Sequence, residues 1–293
     1  MLSLILRIVP LLLPNSLLGS DTMACVLRHP GFKKKAVTFS YDDGILQDKT
    51  TISILKNHHR KGTFNLNYGQ SGEEKFRNGI DCSHLDLKKD ISLYEGREVA
   101  SHTYSHPHRE TLLYEQQDEE FKKDIFGLEE LTGKKVFGAA YPYGTYNLDT
   151  LRALKRNGLN YCRTTKSTYS FSLPVDFLLW HPTIHHRDKR ILERLDCFHH
   201  AKEELALFYI WGHSYEFALD NNFSLLDDIC SNLEKDEDIY YGTNKEIYDY
   251  VKNAERVYYR NGEYVNPSLC DIYLKDENGN LLRIPKEGKL QHE

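Results

Sequence analysis

Asp42 and Asp43 stand side by side where the run Ala36-Val37-Thr38-Phe39-Ser40-Tyr41 stops against Gly44. Adjacent carboxylates repel, so the pair is either a solvated turn or a place where a cation lies between them. Farther along, His102 and His106 are four residues apart. If that segment turns helically after a strand, both imidazoles share one face, a spacing suited to one divalent ion. Two imidazoles and one carboxylate leave positions open for water, whose proton is then lost far more readily than in bulk. One aspartate of the pair would be the ligand and its neighbour the base. Pro142 and Gly144 shape a loop that can present a backbone N–H, such as that of Tyr143, to a developing oxyanion. His213, closing a late apolar run, is a candidate general acid, and Trp211 beside it a candidate wall for stacking a sugar ring. Taken together, these residues describe metal-assisted hydrolysis.

In α/β barrels such groups gather where strands end and helices begin. Strand-like runs occur at 36–41, 62–68, 97–102, 135–141, 160–165, 204–213 and 238–242. Leu46 to His59 and Leu112 to Leu131 carry apolar residues at helical spacing. Asn147 and the Thr243 to Glu246 box are helix starts, because their side-chain oxygens accept amide hydrogens that the first turn leaves unpaired. No GxGxxG or P-loop is present, so the strand–helix units predict an α/β fold that is a closed or nearly closed barrel, not an open dinucleotide sheet. After Ala254, Asn261-Gly262 and Asn278-Gly279 mark hairpins of a short C-terminal β extension. The expected organisation is an N-terminal extension at 1–35, a barrel domain at 36–254 and a small β tail at 255–293.

The net charge of −5 and pI near 6.3 give no attraction for nucleic acid or anionic lipid, and the Lys33-Lys34-Lys35 run is too short to reverse that. A neutral or mildly charged substrate fits this balance. Six dispersed cysteines without a C-x-x-C pair are expected as reduced, mostly buried thiols. Residues 1–20 are apolar but broken by Arg7, Pro10 and Pro14, so no stable membrane insertion is expected. The stretch reads either as a poor signal peptide, making the protein secreted, or as an extension ahead of a true start at Met23, making it cytoplasmic. Oligomeric state is not legible.

From about Ala36 to Ala254 the chain resembles the polysaccharide deacetylase family, the carbohydrate esterases that share the NodB homology domain. The first family motif looks like Ser40-Tyr41-Asp42-Asp43-Gly44 and the second like His102-Thr103-Tyr104-Ser105-His106. The resemblance implies a distorted (β/α)7 barrel, Asp42 as base, and Asp43, His102 and His106 as ligands of a divalent metal, Zn²⁺ foremost, with Co, Ni or Mn as alternatives. It implies a carbohydrate substrate and removal of acetyl groups from nitrogen or oxygen. The third motif, usually R-x-P-[FY], reads Ala140-Tyr141-Pro142-Tyr143, so the arginine expected beside the base is absent and the metal or another cation must hold the Asp42 pKa down. Tyr209-Ile210-Trp211-Gly212-His213 looks like the final histidine motif. Asp176 and Trp180 loosely match a fourth, with Asp176 orienting His213. Trp211, Tyr141 and Trp180 are candidate substrate-binding residues. Competing readings are a C–N hydrolase of a cyclic amide or ureide on the same fold, and a catalytically degenerate carbohydrate-binding protein.

Overall fold

The computed structural model describes residues 25–108 and 111–291; the 1–20 stretch and Met23 lie outside the described residues. In chain order the elements are β1 (Val26–Arg28), β2 (Lys35–Asp43), α1 (Asp48–Asn57), β3 (Thr63–Leu66), β4 (Phe76–Arg77), β5 (Ile80–Asp81), α2 (Leu87–Asp90), β6 (Glu98–Ser101), α3 (Tyr114–Thr132), β7 (Gly138–Ala140), α4 (Leu148–Arg156) and β8 (Tyr161–Arg163). There follow β9 (Ile184–His185), α5 (Ile191–His199), β10 (Ala206–Gly212), α6 (Ser214–Leu219), α7 (Ser224–Leu233), β11 (Ile239–Tyr241) and α8 (Asn244–Ala254). The tail holds β12 (Tyr258–Arg260), β13 (Glu263–Asn266), β14 (Ile272–Lys275), β15 (Leu281–Ile284) and β16 (Gly288–Gln291).

Every residue of β2 is buried, as a strand covered on both faces requires. The parallel sheet runs β8-β7-β6-β3-β2-β10-β9, and β11 pairs the first half of β2 on the edge that β3 takes over in the second half. Trp180 bridges Arg163 of β8, and the same segment continues into β9, which pairs β10, so the sheet curls round on itself. The result is a distorted seven-strand (β/α) barrel. The two-residue β9 has no counterpart in the sequence reading, because a strand that short beside Pro182 carries no periodicity.

Side-chain alternation divides the core. Val37, Phe39 and Tyr41 of β2 pack outward with Ile52 and Leu55 of α1 and Leu226 and Ile229 of α7. Ala36 shares the other side with Leu207, Tyr209 and Trp211 of β10, Tyr161 and Trp180. Asp42, two pleats beyond Thr38, belongs to that inner row. Asn147 Oδ1 accepts the Thr150 amide at the start of α4, and the Thr243 side chain caps α8, as expected of both. The tail is not a separate layer: β1 pairs β14, and Leu27, Tyr250, Tyr264 and Ile272 share one apolar cluster. All six cysteines are free thiols, four of them buried. Among the described residues no helix is long and apolar enough to cross a membrane.

Candidate active site and metal centre

A pocket of about 230 Å³ opens at the C-terminal ends of β2, β6, β7 and β10, lined by Asp42, Asp43, His102, His106, Trp211 and His213 among others. Strict alternation would send the side chains of Asp42 and Asp43 to opposite faces of β2. Asp43 instead adopts φ 80°, which breaks the alternation where the strand ends, and both carboxylates line the same pocket. Thr103, His106 and Tyr143 also have positive φ, so four non-glycine residues in or beside this pocket hold a backbone conformation that is costly for L-residues. Gly44 continues the turn at φ 70°, against Leu66.

Asp42 is buried and fully used. Its register partner on β3, Asn65, donates from Nδ2 to Asp42 Oδ1 at 2.8 Å, and Arg163 Nη2 contacts Oδ2. Burial by itself would raise the Asp42 pKa, but Arg163, then His102 and His213, hold it below its ordinary value. The cation missing at Ala140 is therefore present. It comes from Arg163, the residue paired with Ala140 across the β7–β8 ladder. Arg163 is wholly buried, with its guanidinium 4.3 Å from the Trp211 ring centroid.

Asp43 Oδ1 lies 3.6 Å from His102 Nε2 and 3.7 Å from His106 Nε2. Neighbouring ligands of one tetrahedral zinc ion stand about 3.3 Å apart, so the spacing suits a small cation. Asp43 Oδ1 is also buried without a hydrogen-bond partner, which suits it to ligate a cation. His102 Nδ1 is 2.9 Å from the Ala140 carbonyl, which fixes the proton there and leaves Nε2 as a free lone pair. Burial pushes the His106 pKa down to about 3, keeping that ring neutral as well. Burial opposes the Asp43 charge, but His213, His102 and His106 hold its pKa down to about 2. The residues present fit a divalent metal. The expected helical turn between the two histidines does not form. Asn67 Nδ2 instead donates to the His102 and Thr103 carbonyls, and Glu120 of α3 takes the Ser105 amide and hydroxyl, pinning an irregular loop.

His213 caps α6. Its Nε2 is 4.0 Å from Asp42 Oδ2, and its Nδ1 is 3.5 Å from Glu216 Oε2. Burial works against the imidazolium, but Glu216, then Asp43 and Asp42, raise the His213 pKa to about 9. His185 and His186 approach the same Glu216 oxygen, each at 3.2 Å. These two histidines and Glu216 form a second group with metal-ligand spacing. Arg187, 3.6 Å from the other Glu216 oxygen, already supplies a cation there.

Two sequence expectations are corrected by position. Asp176 is exposed and accepts the Leu178 amide at the start of a single 3₁₀ turn, so Glu216 and not Asp176 faces His213. Trp180 is 1% exposed and packs edge-on against Tyr161, Phe177 and Tyr209, away from the pocket lining. Tyr141 and Trp211 do line the pocket, although the Tyr141 hydroxyl is spent on the Leu178 carbonyl. Tyr143 lines it too, stacked 3.9 Å from His108 and edge-on to His106. Motif reading singled out neither Lys75, Arg77, Thr165 and Tyr215 of the pocket lining nor Arg163, Asn65 and Glu216, which stand behind it against Asp42 and His213. Arg163, an arginine at the end of an apolar strand-like run, was the one with a visible signal.

Residues 29–162 match the polysaccharide deacetylase family model. No curated protein sequence matches the chain. Among solved structures, a protein of Mycobacterium smegmatis assigned to the polysaccharide deacetylases is similar with a TM-score of 0.58 at 15% identity, over 80% of this chain and 96% of that one. The carbohydrate esterase domain of a multidomain xylanase from the hindgut metagenome of Trinervitermes trinervoides gives 0.50 at 16% identity, over 78% and 95%. A pseudoenzyme of carbohydrate esterase family 4 from Bacillus anthracis gives 0.49 at 20% identity, over 76% and 68%. The chain thus shares motifs and barrel fold with the polysaccharide deacetylases.

Proposed function

We propose that this chain, with its polysaccharide deacetylase match, is a divalent-metal-dependent hydrolase that removes acetyl groups from an acetylated carbohydrate. The convergence of Asp42, Asp43, His102, His106 and His213 on one pocket carries the reading. Asp43, His102 and His106 would hold the ion, Zn²⁺ foremost given two imidazoles and one carboxylate. When bound, it supplies Lewis acidity toward water and the acyl oxygen.

The chain's own groups do the rest. Asp42, kept ionised by Arg163, takes the proton of the attacking water. The Tyr143 amide donates to the oxygen on which negative charge develops. His213, charged because Glu216 faces it, returns a proton to the departing nitrogen or oxygen. Acetate release by the zinc-loaded protein from chitooligosaccharides, peptidoglycan fragments and acetylated xylan tests the reading. Ring opening of cyclic imides without acetate release from any of these would replace it with C–N hydrolysis of another kind.

A further inference from the structure

The connection from β3 to β6 carries the β4–β5 hairpin, and it brings Lys75 and Arg77 into the pocket lining. Both carboxylates that line the pocket face groups other than these two cations. Asp42 is held by Arg163 and Asn65, and Asp43 faces His102 and His106. Among the described residues neither Lys75 nor Arg77 makes an ion pair. The Arg77 guanidinium lies 4.6 Å from the centroid of Tyr215, another lining residue. Acidic neighbours on the same segment do not cancel them: Glu73, Glu74 and Asp81 are not in the pocket lining, and Asp81 accepts from Ser83.

Some exposed cations of this protein pair with carboxylates, as Lys89 does with Asp86, and others such as Lys56 and Lys88 make no ion pair among the described residues but face open solvent and not this pocket. Two cations left uncompensated on a pocket wall create a local positive potential although the chain as a whole is at −5. A bound divalent ion would add to it. The pocket, at about 230 Å³, lies below the roughly 300 Å³ at which sites for drug-sized ligands begin, so it accommodates little more than one sugar ring.

Resting on the deacetylase reading, we propose that the substrate is an acylated sugar unit bearing an anionic group, carboxylate or phosphate, which Lys75 and Arg77 bind while the acyl group lies at Asp42 and Asp43. This narrows the expectation of a neutral or mildly charged substrate to its charged half, because recognition follows the local field and not the total.

The test compares three probes on zinc-loaded protein: N-acetylglucosamine, N-acetylmuramic acid and N-acetylglucosamine 6-phosphate. Acetate release is followed on wild type, and equilibrium binding on the Asp42→Asn variant. The anionic probes are expected to exceed the neutral one at least about tenfold in kcat/KM and in affinity, with an advantage that shrinks as salt rises. Lys75→Gln with Arg77→Gln should bring that ratio toward one, and Arg77→Glu should invert it. The carboxylate and phosphate arms separate the two anion sources. Equal binding of neutral and anionic probes, or a preference that survives the double substitution, overturns the proposal while acetate release upholds the deacetylase reading. Salt-sensitive, Lys75- and Arg77-dependent binding without acetate release from any probe, nor from chitooligosaccharides, peptidoglycan fragments or acetylated xylan, upholds the anion site and overturns the deacetylase reading.

Discussion

Arg163 and Ala140 are register partners across the β7–β8 ladder, and it is Arg163 whose guanidinium contacts Asp42 Oδ2. A cation that the motif places on one strand is supplied here from the next, into the same barrel interior. Arg163→Met removes the charge that does most to keep buried Asp42 ionised, leaving Asn65, His102 and His213 beside it, so its pKa rises. The acid limb of kcat/KM then moves to higher pH, and activity at pH 7 falls roughly 10²-fold. Breaking a buried ion pair from one side should also lower stability by about 3–5 kcal/mol, seen as a lower urea midpoint. An unchanged acid limb would remove Arg163 from any role in setting Asp42.

Asp42→Asn should keep the metal site, since Asp42 is not among the three clustered ligand atoms, yet lose at least about 10³-fold in turnover. His102→Ala should lose the metal itself. Elemental analysis beside acetate-release assays separates the two. Undiminished turnover in Asp42→Asn would end the assignment of Asp42 as base.

Glu216→Gln removes the carboxylate that does most to keep His213 charged. A general acid is active only below its pKa, so the alkaline limb of the rate profile should move to lower pH. The acid limb should stay in place. Asp176→Asn, at the exposed 3₁₀ turn, should leave the alkaline limb where it was.

Chelation should lower the melting temperature, and zinc should restore it, because an ion bound only by the folded state stabilises that state by about 2.7 kcal/mol at a hundredfold excess over Kd. In His106→Ala the zinc-dependent rise should be largely lost, read by thermal scanning with and without EDTA.

Gly212→Ala should be severe for one methyl group. A Cβ at that position would stand 2.2 Å from His186 Nδ1, and His186 is wholly buried against Phe217. Overpacking at the tip of β10 should lower stability by about 1–3 kcal/mol and displace the adjoining His213, with a fall in kcat beyond what unfolding explains.

Much of the barrel was legible because its strands are short apolar runs and its helices carry caps such as Asn147 and Thr243. Tail and barrel read as successive units, yet β1 pairs β14, a contact between chain ends that no local pattern announces. The short β9 escaped for want of periodicity. Asp176 and Trp180 were read into the site from a loose motif match. The fold uses one as a cap and the other as core packing, since a helix-starting carboxylate and a large indole each satisfy local needs first.

The sequence by itself determined which chemistry was on offer. Asp42-Asp43-Gly44, the histidine pair and His213 are chemical types whose spacing makes them candidates for holding a metal and carrying a proton. Tertiary structure alone decided how their charges are set. Arg163, Asn65 and Glu216 reach the candidate base and acid from β8, β3 and the first turn of α6, and the segment between β3 and β6 brings Lys75 and Arg77 to the pocket wall of an acidic chain. The physical reason is range. Ligand identity is a local property of side chains, whereas a pKa or a local potential sums over every charge within several ångströms, and the folded barrel alone determines which those are.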